Sequence, residues 1–207
     1  MKTKIIVVKI GSSVFVTNRR KIDEFRVHRL TDEIAFLHKK GWKVILVVSG
    51  AVAVGMKAFK NISCEDTVRR CAAGIGQCLM MAEFLSRLQQ KNITCAQILL
   101  TQDILVNQIR RDELVTVFNL YLVNHVIPIL NENDVIDLNS FGGNDELSLQ
   151  IAHLLDASHL IILSSFVSYF GVGGKKSKIN VLEKSRLLGI TARIADGKKP
   201  WIHFLQS

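Results

Sequence analysis

The strongest constraint on this chain is a set of short apolar runs that lack polar alternation: Ile5 to Val8, Val44 to Val48 and Leu160 to Leu163. A strand with one wet face alternates apolar and polar residues. An uninterrupted β-branched run instead fits a strand covered on both faces, as in a parallel sheet between two helical layers. The runs are bounded by Gly, Ser or Asn, and the segments between them carry helical spacing. Strands are expected near residues 4–10, 43–48, 95–100, 125–130, 159–164 and 190–195, with helices near 23–40, 66–90, 111–123, 145–156 and 177–188. This alternation predicts an α/β fold, a three-layer α/β/α sandwich with an open, mostly parallel sheet.

Composition narrows the function classes. At 207 residues, with 48% hydrophobic and 22% charged residues, the chain has the proportions of a globular protein and suits one domain spanning 1–207. No apolar run approaches the ~20 residues needed to cross a bilayer, so no membrane partner is expected. Lys2 and Lys4 precede a β-branched run that leads straight into a Gly-rich turn, without the small-residue cleavage pattern of a signal peptide. Cys64, Cys71, Cys78 and Cys95 lack zinc-knuckle spacing, and the first three recur near one helical face. They read as buried thiols in a reducing cytoplasm, with no metal site. The net charge of +9 comes from 27 dispersed Lys and Arg residues, which anionic small substrates explain as well as nucleic acid does. A nucleic-acid partner is not expected, because no aromatic-rich basic face accompanies the charge.

Several segments carry the chemistry. Lys9-Ile10-Gly11-Ser12-Ser13 closes the first strand, placing a cation and small residues at a strand's carboxyl end, where open α/β sheets bind ligands. Glycine lets backbone N–H groups approach phosphate oxygens, while a lysine neutralises charge on a transferring phosphoryl group. Taken alone, the same residues also make an ordinary β-turn with a solvated lysine. The second strand ends in Ser49-Gly50-Ala51-Val52-Ala53-Val54-Gly55, a small-residue turn that starts a helix and suits either an anion or close helix–strand packing. Asn131-Glu132-Asn133-Asp134 follows the fourth apolar run, and Phe141-Gly142-Gly143-Asn144-Asp145 opens a helix. Such polar residues recognise small metabolites, and they also cap loops. Gly171-Val172-Gly173-Gly174-Lys175-Lys176-Ser177-Lys178 is a second Gly-rich, basic loop ahead of a helix, suited to nucleotide phosphates or simply flexible.

In this order the segments resemble the amino-acid kinase superfamily, and within it most closely the glutamate 5-kinase family. The resemblance also rests on Ala73-Gly74-Ile75-Gly76-Gln77, Leu99-Leu100-Thr101, Pro128-Ile129-Leu130 and Glu146-Leu147-Ser148. The Asn-Glu-Asn-Asp block is the most specific feature. The resemblance implies transfer of the ATP γ-phosphoryl group to the side-chain carboxylate of L-glutamate, the first step of proline synthesis, with Mg²⁺ on the nucleotide. It further implies a cytoplasmic homo-oligomer and allows proline as a feedback ligand. Lys9, Asp145 and Lys178 match its catalytic positions. Ser49, Gly50, Asp134 and Asn144 match positions that hold the amino-acid substrate, in an acceptor-binding half of about 1–157. Lys9, Gly11, Ser164, Ser165, Gly173, Gly174 and Lys178 match nucleotide-binding positions, some of them in a second half of about 158–207.

The chain departs from the family in places. The family usually writes Gly-Asp-Asn-Asp where this sequence has Gly142-Gly143-Asn144-Asp145, and a nucleotide-side Asp where Ser165 stands. A few dozen residues that the family places before the second Gly-rich loop are absent, because Phe170 runs directly into Gly171. The continuation beyond Lys198-Lys199-Pro200 and an RNA-modification-type domain are also expected to be missing. These departures leave a second reading, a catalytically impaired amino-acid-binding or regulatory homologue.

Overall fold

A computed structural model describes residues 4–59, 62–63, 65–165 and 174–205. Its centre is a six-stranded sheet of β1 (Ile5–Ile10), β2 (Lys43–Val48), β3 (Cys95–Leu100), β4 (Ile127–Glu132), β5 (His159–Ser164) and β6 (Thr191–Asp196). The strand order is β3-β4-β2-β1-β5-β6 and every pairing is parallel. The helices are α1 (Ser12–Phe15), α2 (Glu24–Lys39), α3 (Ala51–Gly55), α4 (Asp66–Gln89), α5 (Gln102–Val106), α6 (Gln108–Val123), α7 (Asn144–Leu154) and α8 (Gly174–Leu187). No helix among the described residues is long and apolar enough to cross a membrane.

The unalternating runs occupy the middle of the sheet, as their pattern demands. All of β1 is buried, as is β2 after Lys43 and β5 after His159. Successive side chains point to opposite faces of a strand, and the core divides accordingly. Ile6, Val8 and Ile10 join α2, α4 and the fully buried Trp201, whereas Ile5 and Val7 join α6, α7 and α8. Lys9 therefore falls on the α7–α8 face. The outer strand β6 does alternate, with Thr191 and Arg193 exposed, which blunts an unpaired edge.

Local sequence accounts for the helix ends. Asp23 caps α2 by accepting the Arg26 N–H at 3.2 Å, and Asn107 caps α6 by accepting that of Arg110 at 3.1 Å. The buried stripe of α2, at Val27, Leu30, Ile34 and Leu37, keeps helical spacing throughout. After β6 the chain crosses back over α2. Arg29 donates to the Gly197 carbonyl, and the Trp201 N–H donates to Glu33 at 2.7 Å.

Three expectations are corrected. Cys71 and Cys78 are exposed, not buried, and Cys95 is half-buried. Their seven-residue spacing does hold the first two to one side of α4, but that side is solvent, because Ala72, Ala73, Gly76, Gln77 and Met80 take the core. Cys64 lies outside the described residues. The fourth strand runs from Ile127 to Glu132, so Asn131 and Glu132 are buried strand residues and not the start of a loop. Lastly, Gly55 serves helix–helix packing. A Cβ there would lie 1.8 Å from the Ala72 carbonyl oxygen of α4, and one at Gly76 would lie 1.8 Å from that of Ala51 in α3.

Candidate active site

The carboxyl ends of β1, β2, β4 and β5 meet on one rim of the sheet, and the chemistry gathers there. Lys9 reaches Asp145, in the first turn of α7, with Nζ 2.6 Å from Oδ1. Lys178 of α8 approaches the other oxygen at 3.0 Å, and the Ser177 hydroxyl lies 3.5 Å from it. All three charged residues are buried, at 7%, 7% and 5% exposure for Lys9, Asp145 and Lys178. A second ion pair, Lys184 to Glu146 at 3.1 Å, also joins α8 to α7.

Among the described residues, Lys9 and Lys178 share the one carboxylate of Asp145 at this buried site. Burial pushes Lys9 below its ordinary pKa of 10.5 against the pull of Asp145, and the Lys178 charge adds to the lowering. Burial alone would push Asp145 up. The charge and hydrogen bond of Lys9, joined by those of Lys178, outweigh that and hold its carboxyl below the ordinary 3.8. The arrangement is suited to receive a further anion.

The glycine turn stands beside the triad. A Cβ on Gly11 would lie 3.6 Å from the Lys9 Nζ, so the ammonium folds back over the turn. The Gly11 N–H itself is committed to the Leu163 carbonyl at 3.0 Å. Backbone donors for a ligand at this turn are therefore those of Ser12 and Ser13, which start α1 and have no intrahelical acceptor. Ser164 and Ser165 are buried at the end of β5, next to β1, and the Ser165 N–H donates to the Ser13 hydroxyl at 3.3 Å. Gly174 begins α8, while Gly171, Val172 and Gly173 of the second Gly-rich loop lie outside the described residues.

The remaining candidates lie along β2, β4 and α7. The Ser49 N–H donates to the Ile10 carbonyl at 3.0 Å, which aligns the ends of β2 and β1. Gly50 has φ 127°, and a Cβ there would lie 3.1 Å from that of Ser12, so the second turn packs on the first. α3 has five residues, too few for a strong dipole, and it offers donors more than field. Asp134 accepts the Asn139 N–H at 3.0 Å. Asn144 donates from Nδ2 to Asn131 Oδ1 at 2.9 Å and so joins α7 to β4. Gly143 adopts φ 117° and ψ 156°, a region open essentially to glycine, so a carboxylate at this position would require a re-laid loop.

Three residues of this rim stand in the sequence motifs without an individual site role: Gln77, Asn131 and Glu132. Each is a polar residue that its element turns inward, Gln77 among the core positions of α4 and the other two at the end of β4. For Gln77 the cue was present, as a polar residue at a core position of a periodic helix.

Burial raises the pKa of Glu132 above 4.5, with the charges of Asp134 and Asp137 adding to the effect. Burial likewise raises Asp134 above 3.8, against the Asn139 N–H and the charges of Arg69 and Arg70. Groups with raised folded pKa values stabilise the fold below their unfolded pKa, and that stability is lost as pH rises through the folded value. Asp145 acts oppositely, and its contribution is lost as pH falls through its folded pKa. Stability from these groups is thus expected to rise as pH falls from neutrality toward the ordinary carboxylate range, then to drop at lower pH. In urea unfolding from neutral to acid pH, Glu132→Gln should gain on the parent as pH rises. A pH-independent difference between the two would refute this.

Among the described residues no group of three or more His, Cys, Asp or Glu side chains could hold a metal ion. Residues 4–166 match the amino acid kinase family. The glutamate 5-kinase of Streptococcus pneumoniae (strain Hungary19A-6) is 34% identical over 200 residues, which are 95% of this chain and 54% of that protein. Glutamate 5-kinase 1 of Bacillus subtilis is 38% identical over 169 residues, 79% of this chain and 46% of its own. The chain thus spans about half the length of the curated relatives it matches. Two solved structures share its architecture at low identity. UMP kinase from Ureaplasma parvum has a TM-score of 0.65 at 13% identity, covering 96% of this chain and 92% of its own. The T. acidophilum isopentenyl phosphate kinase has 0.66 at 11%, covering 94% and 92%.

Proposed function

The chain belongs to the amino acid kinase family, and on that premise we propose that it transfers the γ-phosphoryl group of ATP to the side-chain carboxylate of glutamate. The buried Lys9–Asp145–Lys178 triad beside a glycine turn carries the reading. A carboxylate oxygen of the acceptor attacks the γ-phosphorus. The new O–P bond forms as the bond to the β–γ bridging oxygen breaks, giving an acyl phosphate and ADP. No proton has to move, because the acceptor is already ionised at neutral pH.

The chemical obstacle is the approach of two anions. Lys9 and Lys178 offset it by neutralising the phosphoryl oxygens, and Asp145 holds both ammonium groups in place before substrate arrives. Both Asp145 oxygens face ammonium groups, so Mg²⁺ is best accommodated on the ATP phosphates, where it supplies further charge neutralisation. The donors of Ser12 and Ser13, with Ser164 and Ser165 behind them and the Gly-rich sequence from Gly173 to Lys178, serve the nucleotide. Ser49, Gly50, Asp134 and Asn144 serve the amino acid. Support for glutamate as the acceptor comes from relatives of that name at 34% and 38% identity.

Hydroxylamine trapping tests the proposal. With glutamate and Mg-ATP, the chain should form hydroxamate well above a Lys9→Ala control. Equal yields would end the kinase reading. Gly143 and Ser165, standing where the resemblance leads one to expect carboxylates, motivate the second reading of an impaired amino-acid-binding homologue. Calorimetric glutamate binding without nucleotide binding would favour it.

A further inference from the structure

Gln77, Asn131 and Asn144 form a chain of amides from α4 through β4 to α7. Asn131 donates from Nδ2 to Gln77 Oε1 at 2.9 Å, and its Oδ1 accepts Nδ2 of Asn144 at 2.9 Å. The same Oδ1 accepts the Glu132 backbone N–H at 3.0 Å. Gln77 and Asn131 are buried, at 7% and 2% exposure.

An amide side chain can be turned end for end, so its orientation has to follow from its partners. Here one partner cannot turn. The Glu132 N–H is only a donor, so the Asn131 oxygen must face it. The Asn131 amino group must then face Gln77, which presents its oxygen. Asn144 must offer its own amino group to the Asn131 oxygen. What remains is the Asn144 Oδ1, which is buried and has no hydrogen-bond partner among the described residues. A buried acceptor without a partner calls for one.

We propose that Gln77 is a positioning residue of the acceptor site, acting through Asn131 to keep the Asn144 amide oxygen available for an N–H donor of the bound acceptor. This rests on the glutamate reading, in which the donor is the substrate's ammonium group. Without the Gln77 oxygen, the buried Asn131 amino group loses its partner; the Glu132 N–H still forbids reversal, so Asn131 relieves the loss by shifting away from Asn144. Asn144 then loses the acceptor that orients its amide, and its oxygen is no longer held toward the ammonium.

The test compares Gln77→Met, which removes the acceptor, with Gln77→Glu, which keeps one. In Gln77→Met the Michaelis constant for glutamate should rise by about tenfold, the size of one lost buried hydrogen bond, while that for Mg-ATP stays unchanged. Gln77→Glu should remain near the parent. Glutarate, which lacks the ammonium, should discriminate poorly between parent and Gln77→Met. A lowered melting temperature with parental glutamate kinetics would reduce Gln77 to a structural role and overturn the proposal.

A second readout does not depend on turnover. The side-chain amide protons of Asn144, followed by nitrogen-15 NMR, should exchange slowly in the parent and shift with glutamate but not with glutarate. Fast exchange in the parent would also overturn the proposal, whether or not Gln77→Met folds. If the parent makes no hydroxamate but its Asn144 signals are protected and respond to glutamate, the kinase reading fails and the positioning role stands.

Discussion

Asp145→Ala is expected to cost about 3–5 kcal/mol of stability at neutral pH and to lower hydroxamate formation by about a hundredfold or more. The substitution removes the carboxylate that the buried Lys9 and Lys178 both contact. Breaking a buried ion pair costs far more than the pair itself contributes, because the survivor cannot regain its hydration. The loss is limited by proton release. Lys9 is already held below its ordinary pKa, and without Asp145 it would fall further. Because a lysine with a lowered folded pKa adds stability as pH rises toward its unfolded value, the variant should recover stability in alkaline solution relative to the parent. Urea unfolding between neutral and alkaline pH would show this. A loss below about 1 kcal/mol would mean that the lysines are hydrated and that the triad is not preorganised.

The second large effect is steric. Gly76→Ala is expected to destabilise the fold by about 3 kcal/mol or more, at the upper end of overpacking costs. The added Cβ would meet the Ala51 carbonyl oxygen at 1.8 Å, its carbon at 2.7 Å and the Gly55 nitrogen at 2.8 Å. All three are backbone atoms, so no change of rotamer relieves the clash and α3 must move away from α4. Gly50 leads into α3 and packs on Ser12, and Gln77 follows Gly76, so the damage should reach the acceptor constants as well. Gly74→Ala is the control in the same helix. Its Cβ would meet only a Val135 methyl at 3.5 Å, and replacing a helix-interior glycine there should stabilise by about 0.5–1 kcal/mol. Chemical denaturation of both variants checks the contrast, and equal stability would show that α3 and α4 can separate freely.

Much of the architecture was readable because its signals are local. The strands at 43–48, 95–100 and 159–164 coincide with those expected, and the long helices agree to within a few residues. Unalternated apolar runs and helical spacing record burial directly. The displaced fourth strand marks where that record fails. Asn131 and Glu132 look like loop residues, yet the ladder with β3 continues through both, pairing Leu99 with Asn131 and Leu100 with Glu132. Strand pairing outweighs the local preference of polar residues for turns. Cys71 and Cys78 mislead in a related way, since a seven-residue period marks a helix face without saying which face is inside.

By itself the sequence determined the class of fold, the glycine turns after β1 and β2, and which residues could carry phosphoryl chemistry. The meeting of Lys9, Asp145 and Lys178 was inferred from a resemblance, and only the tertiary structure brings the three into contact and buries them. The amide chain from Gln77 to Asn144 and the crossing of Gly55 with Gly76 were invisible beforehand. The physical reason is the same for each. Burial and periodicity are written residue by residue along a chain. Contacts such as that between Gly55 and Gly76, or a shared buried charge, depend on how rigid elements distant in sequence are brought together.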